Sequence, residues 1–194
     1  MPHNEKVEIN IGEKIKKLRL DKNIDLPKLA ELTGFSTALL SQMENHLISP
    51  PLSSLGKIAG ALGVEMGYFF GSSSDVDFTI VRRNERRPIS RVASKQGVNY
   101  GYSYESLAYE QKNRHMEPFL VSLEPATVKN RHAYSHEGEE FIFVLEGKME
   151  ITLGDHTDIL EAGDSIYFNS LIPHRVQCSE GLETKIVAVI YTQG

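Results

Sequence analysis

The sequence predicts two unlike halves: an all-helical N-terminal unit of about five short helices, then an all-β barrel or sandwich. Three observations carry that prediction. Before residue 72 the apolar residues recur at helical spacing. Beyond residue 98 they fall into short alternating or β-branched runs with no helix between them. Between the two lies "FGSSSDVDF" (70–78), small and polar like a linker. The expected division is 1–71, a linker with a basic stretch over 72–97, and 98–194. At 194 residues the chain is long enough for each half to bury a core.

Ile15 and Leu18 mark the first helix. Leu26, Leu29 and Leu32 mark the second, with Asp25 as its N-cap and Pro27 in the first turn, where a missing N–H does little harm. Gly34 follows and can take the left-handed conformation that ends a helix. Ser36 caps a third helix bearing Leu39, Leu40 and Met43. "SPP" at 49–51 interrupts before a fourth helix with Leu55, Ile58 and Leu62, for which Pro51 is a poorer cap than Ser or Thr. The β half reads as FLVSLEP, EFIFVLEG, KMEITLG, SIYF and KIVAVIYT, divided by turn signals at Glu124-Pro125, Gly154-Asp155 and Ala162-Gly163-Asp164.

Composition excludes some classes. No apolar run is long enough to span a bilayer, and the polar start MPHNEKVEIN lacks the apolar centre of a secretory signal. The single cysteine, Cys178, rules out an internal disulfide and suits a reducing cytoplasm. The formal charge is −5, unevenly spread. Residues 1–71 carry eight Lys/Arg against eight Asp/Glu, residues 72–97 six against three, and residues 98–194 seven against fifteen. The acidic C-terminal half repels nucleic acid, so DNA contact must come from the helical half or the basic stretch.

"LPKLAELTGFSTALLSQMEN" (26–45) carries a helix-turn-helix pattern. Ala30 is small where two helices cross, Gly34 supplies the turn, and Leu40 and Met43 plug the second helix into the core. That leaves Thr37, Ala38, Ser41, Gln42 and Asn45 facing outward. Gln and Asn pair bidentately with adenine, and Ser or Thr contacts base or phosphate. With "IGEKIKKLR" before it and "SPPLSSLGKIAGALGV" after it, the segment 12–70 resembles the lambda-repressor-like helix-turn-helix domain of the XRE/Cro-C1-type repressors. The resemblance implies an internal ion pair between Arg19 and Glu44, a base contact from Gln42, and phosphate contacts from Lys28, Ser36 and Asn45. His46 and Leu47 stand where the family often has arginine or glycine, which weakens phosphate grip at that loop. Arg82, Arg83, Arg86 and Arg87 either compensate or form a solvated linker face.

"HAYSHEGEEFIFVLEG" (132–147) places Tyr134 and His136 on one face of an extended segment, with Gly138 allowing a bend before Glu140. His174 follows Pro173 some thirty residues on. Histidine, carboxylate and a distant histidine inside a barrel can hold a divalent transition metal. His136, three residues, Glu140, six residues and Gly147 resemble the first motif of the cupin family, and His174 the second-motif histidine. The resemblance implies a double-stranded β-helix (jelly-roll) barrel. Tyr134 replaces the first histidine of the family's H-x-H, and His132 lies two residues too early for that slot.

A phenol is a poor metal ligand because binding requires losing a proton of pKa near 10. Two readings of the pocket therefore stand. His136, Glu140 and His174 hold zinc or iron; or, without metal, Tyr134, His136, Glu140 and His174 bind a small cationic or zwitterionic effector. Tyr100, Tyr102 and Tyr104 share a parity. They form either an aromatic wall of that pocket, with Arg114 as an anion clamp, or an edge strand against a partner subunit.

Taken together, the two resemblances imply a cytoplasmic, ligand-responsive transcriptional regulator without enzymatic activity. It would bind a palindromic double-stranded DNA operator as a homodimer, with a small-molecule effector in the cupin pocket. The competing reading is a metal-dependent dioxygenase or isomerase with accessory helices, against which stand the missing histidine and the absence of an identifiable base or nucleophile around the metal.

Overall fold

The computed structural model describes residues 10–48, 50, 52–70, 76–89, 101–111, 114–126 and 133–191. Among the described residues four α-helices come first: α1 (Ile11–Asp21), α2 (Leu26–Thr33), α3 (Thr37–Glu44) and α4 (Leu52–Ala61). Each of the first three starts on a side chain that accepts an otherwise orphaned amide N–H: Asn10 from Glu13, Asp25 from Lys28 and Ser36 from Leu39. Gly34, at φ 68°, ends α2 in the left-handed region as expected. Pro51, read as a weak cap of α4, lies outside the described residues. The fifth expected helix is a 3-10 turn, Met66–Phe70. Its apolar run is too short to nucleate an α-helix and is held by burial of Phe69 and Phe70 instead.

Ile15, Leu29, Leu40, Leu55 and Ile58 are fully buried and tie the four helices together, each side chain contributing about 1.5–3 kcal/mol of transfer free energy. Leu32, read as part of the inward stripe of α2, is exposed instead. Helix α1 lies so close on α3 that a Cβ at Gly12 would strike the carbonyl of Met43.

Among the described residues nine strands follow: β1 (Arg87–Ile89), β2 (Tyr102–Ser106), β3 (Met116–Leu123), β4 (Glu139–Glu146), β5 (Lys148–Leu153), β6 (His156–Glu161), β7 (Ser165–Asn169), β8 (His174–Cys178) and β9 (Thr184–Tyr191). They make two antiparallel sheets, one ordered β1-β2-β3-β9-β4-β7 and one ordered β6-β5-β8. The part of the sequence expected to be linker thus contains a strand. Residues 87–89 pair with 104–106 as the edge of the large sheet.

Helical and β parts share one apolar core rather than two. Phe70 packs edge-on against Phe119 of β3, with ring centroids 4.9 Å apart. The Tyr104 hydroxyl on β2 donates to the carbonyl of Pro50, 3.0 Å away. Beside them, Gly67 in the 3-10 turn leaves room for the buried Arg114–Glu117 ion pair. Burial pushes the Glu117 carboxyl up to about 7, against the pull of Arg114.

Candidate functional site

The outward side of α3 is open to solvent. Thr37, Ala38, Gln42 and Asn45 are exposed and Ser41 is half-buried. The opposite side is locked by Leu40 and Met43 and by a two-pronged ion pair under the helix. Arg19 donates from Nε to Glu44 Oε1 at 2.6 Å and from its second amino group to Oε2 at 2.9 Å. It also donates to the carbonyl of Ile24 at 2.8 Å. Both side chains are buried, so α1 and α3 cannot separate without exposing an unpaired charge.

Three residues assigned to the phosphate backbone have local partners here. Ser36 is the N-cap of α3, Asn45 donates to the Ser41 carbonyl at 2.8 Å, and Lys28 pairs with Glu31 at 2.9 Å. The Lys28 pair is exposed, so it costs little to break. His46 has φ 57°, in the left-handed region that glycine adopts without strain. Of the arginine run, Arg82 and Arg83 are exposed, while Arg86 lies 3.6 Å from Glu105 of β2.

The second site is built across both sheets. Glu140 points inward from β4 on the same face as Ile142 and Val144. His174 opens β8 of the small sheet. His136 lies in the segment leading to β4. That segment is held against the loop before β8 by hydrogen bonds from Tyr134 N to His174 O (3.1 Å), His174 N to Tyr134 O (2.9 Å) and His136 N to Ser170 O (3.0 Å). One ligand atom from each of His136, Glu140 and His174 lies within 4.8 Å of the others, and all three residues are buried.

The histidine tautomers follow from their other nitrogens. A carbonyl only accepts, so Nδ1 of His136 donates to Glu137 O (2.9 Å) and Nδ1 of His174 donates to Ile172 O (2.8 Å). Both Nε2 atoms then face Glu140 Oε1, His136 at 2.7 Å and His174 at 3.3 Å. The second approach is out of hydrogen-bond alignment, and His174 Nε2 is a buried nitrogen without a hydrogen-bond partner. Burial pushes the Glu140 carboxyl up, but the His136 hydrogen bond and the closeness of both imidazoles outweigh it and hold the group at about 2. For His174, burial lowers the imidazole and the neighbouring carboxylate more than reverses this, so the net shift is upward. A buried carboxylate flanked by two Nε2 atoms, each with its Nδ1–H anchored on a backbone carbonyl, is a donor set suited to a divalent transition metal.

Gly147, the last residue of the first cupin-like motif, has φ 81°, and a Cβ there would lie 2.9 Å from the Glu183 carbonyl and from Thr184 Oγ1. Turn conformation and close approach both require glycine.

Other expectations meet different geometry. The Arg114 guanidinium is occupied by Glu117, 2.8 Å away, and by the carbonyl of Gln111, at the junction with the 3-10 turn rather than as an anion clamp over the triad. Tyr102 and Tyr104 do share a face and stack, but β2 is flanked by β1 and β3 and is not an edge strand. Tyr100 and His132 lie outside the described residues. The contact that sequence reasoning missed is between halves. The Tyr134 ring meets Phe35, in the turn before α3, edge-on at 5.1 Å, and His136 lies against Gly56 of α4. Gly56 was the available signal, because a glycine inside a helix costs about 1 kcal/mol and calls for a reason.

Residues 15–69 match the family model described as helix-turn-helix, and residues 119–190 the one described as cupin domain. The chain is 27% identical to the HTH-type transcriptional regulator PuuR of Escherichia coli (strain K12), over 84% of each chain. It is also 27% identical to (S)-2-hydroxypropylphosphonic acid epoxidase of Streptomyces wedmorensis, over 97% of this chain and 99% of the epoxidase. A crystal structure of an HTH_3 family transcriptional regulator from Vibrio cholerae superposes with a TM-score of 0.64 at 23% identity, covering 96% of this chain and 97% of that one. The chain is built as an XRE-type helix-turn-helix domain joined to a C-terminal cupin domain.

Proposed function

We propose that this protein is a sequence-specific DNA-binding transcriptional regulator whose cupin domain senses a cation-centred effector. The observation that carries the first part is the exposed polar face of α3 on a helix locked from below by Arg19 and Glu44. In this reading Gln42 makes the leading base contact. Thr37, Ala38 and Ser41 complete the groove surface, and Lys28, Ser36 and Asn45 hold phosphates. Gln42→Ala is expected to weaken binding to an operator selected from a random duplex pool by about 1–3 kcal/mol and to relax base preference at one position per half-site. Unchanged affinity and preference in an anisotropy titration would contradict this orientation of α3.

His136, Glu140 and His174 would hold a divalent metal, zinc or iron, with Tyr134 beside them. Bound there, the metal would supply open coordination positions for an effector. Tyr104 and Arg114 brace the junction between the domains. A DNA-reading role and the single cysteine support a cytoplasmic location, and among the described residues no helix is long and apolar enough to cross a membrane.

The regulator acts as a homodimer through the outer face of the large sheet. An antiparallel sheet exposed on one side ordinarily carries polar residues there. Here Phe141, Phe143 and Leu145 of β4, Tyr167 of β7 and Met116 of β3 are exposed, with Val187 and Val189 of β9 opposite Phe143 and Phe141. Two copies joined by this face would present two readers to a palindrome. The double substitution Phe141→Lys, Phe143→Lys is expected to convert dimer to monomer in sedimentation and to lower operator affinity. A wild-type monomer at micromolar concentration, or a dimeric variant, would refute it.

The second reading, a metal-dependent oxidative enzyme, is favoured by the complete triad and by the full-length similarity to the epoxidase. Stoichiometric iron in the purified protein together with oxygen consumption would establish it. Metal binding without turnover supports the sensor.

A further inference from the structure

We propose that Phe35 and Gly56 are positioning residues that couple occupancy of the His136–Glu140–His174 site to the aim of the recognition helix. This rests on the sensor reading above and names the contacts through which it works. The segment from Tyr134 to His136 is the mechanical link, with its backbone pinned to residues 170 and 174 and a side chain at each end pressed on the reader.

At one end, the Tyr134 ring stands perpendicular (88°) to Phe35, with centroids 5.1 Å apart. Phe35 lies between Gly34, which ends α2, and Ser36, which caps α3. A shift of that ring therefore acts at the pivot of the helix-turn-helix, one residue from the cap that sets the direction of α3. At the other end, the imidazole of His136 lies against α4. A Cβ on Gly56 would be 3.2 Å from its Cγ and 3.3 Å from its Nδ1. The same ring presents Nε2 to Glu140 at 2.7 Å. It is held between the candidate metal and the reader, so it cannot reorient toward a ligand without pressing on α4 or withdrawing from it.

Lys57, next to Gly56, closes the circuit by placing Nζ 5.6 Å over the Phe35 ring. Within α4 it is at Gly56 that a Cβ would meet a tight contact. Gly60, one turn on in the same helix, has open space where its Cβ would be. Packed side chains with two discrete arrangements are a physical means of coupling two sites, and the coupling is reciprocal.

The test uses the full chain, cobalt(II) alone as the probe, and an operator selected with the wild-type protein. Cobalt binding is read from its visible absorption bands, and operator affinity from anisotropy with and without cobalt. In wild type, cobalt is expected to change operator affinity at least about fivefold, and operator to change cobalt affinity by the same factor. Phe35→Leu and Gly56→Ala are each expected to bind cobalt, and to bind operator without metal within about threefold of wild type, while the coupling factor falls below about two. Gly56→Ala should also alter the cobalt spectrum, because its methyl group bears on His136, and a change in helix stability alone would not do this. Either variant suffices if the other fails to fold. Variants that couple as strongly as wild type overturn the inference and leave the sensor reading standing. A wild-type protein whose operator affinity ignores cobalt overturns both.

Discussion

Replacing Glu44 with alanine is expected to destabilise the helix-turn-helix domain by about 3–5 kcal/mol, a large part of the 5–15 kcal/mol that holds a typical domain folded. The cost arises from the partner left behind. Arg19 would keep only its hydrogen bond to the Ile24 carbonyl, in a position where its side chain is 8% exposed. Removing both charges, as in Arg19→Met with Glu44→Leu, should cost far less, because no buried charge is left unpaired. Denaturant titration of the three proteins checks this. A single-variant loss below about 1 kcal/mol would mean that water reaches the pair and that α3 is not locked from below.

Glu140→Ala is expected to lower cobalt(II) affinity by more than about 100-fold, because loss of a mere outer-shell partner already costs about 10–100-fold and here the anionic ligand of the triad is lost. Binding of the metal-free protein to operator should be preserved, since nothing on the reading face of α3 contacts Glu140. The strand supplies its own control. Glu139, one residue earlier, faces the other way and accepts a hydrogen bond from Tyr167, so Glu139→Ala should leave cobalt binding unchanged. Equilibrium dialysis reads both variants. Equal loss in the two would mean the parity of β4 is misassigned.

Readability from sequence depended on how local each interaction is. The caps Asp25 and Ser36, the stop at Gly34 and the inward residues Leu29 and Leu40 follow from one turn of helix and its neighbours, and the structure has them. The spacing of His136, Glu140 and Gly147 was legible through its resemblance to the cupin motif, in which a tight turn needs the glycine. β6 and β8 gave no such signal. β6 is mostly solvent-exposed and polar, and β8, HRVQC, is half-buried along most of its length and is placed by pairing with β5. Arg114 was misplaced although a clue was present. The alternation of β3 puts Glu117 on the face of Phe119 and Val121, and a carboxylate there needs a buried cation.

The two kinds of domain, their order and the outward face of α3 were legible in the sequence, because each rests on periodicity or on residues a few positions apart. His136, Glu140 and His174 were picked out by resemblance to the cupin motifs, since His174 lies some thirty residues beyond the other two. Only the tertiary structure decided that a single core joins the halves and that the candidate sensor residues His136 and Tyr134 press on Gly56 and Phe35. The last two contacts join residues about eighty to a hundred positions apart. Their geometry comes from how two folded surfaces fit, which no local pattern encodes.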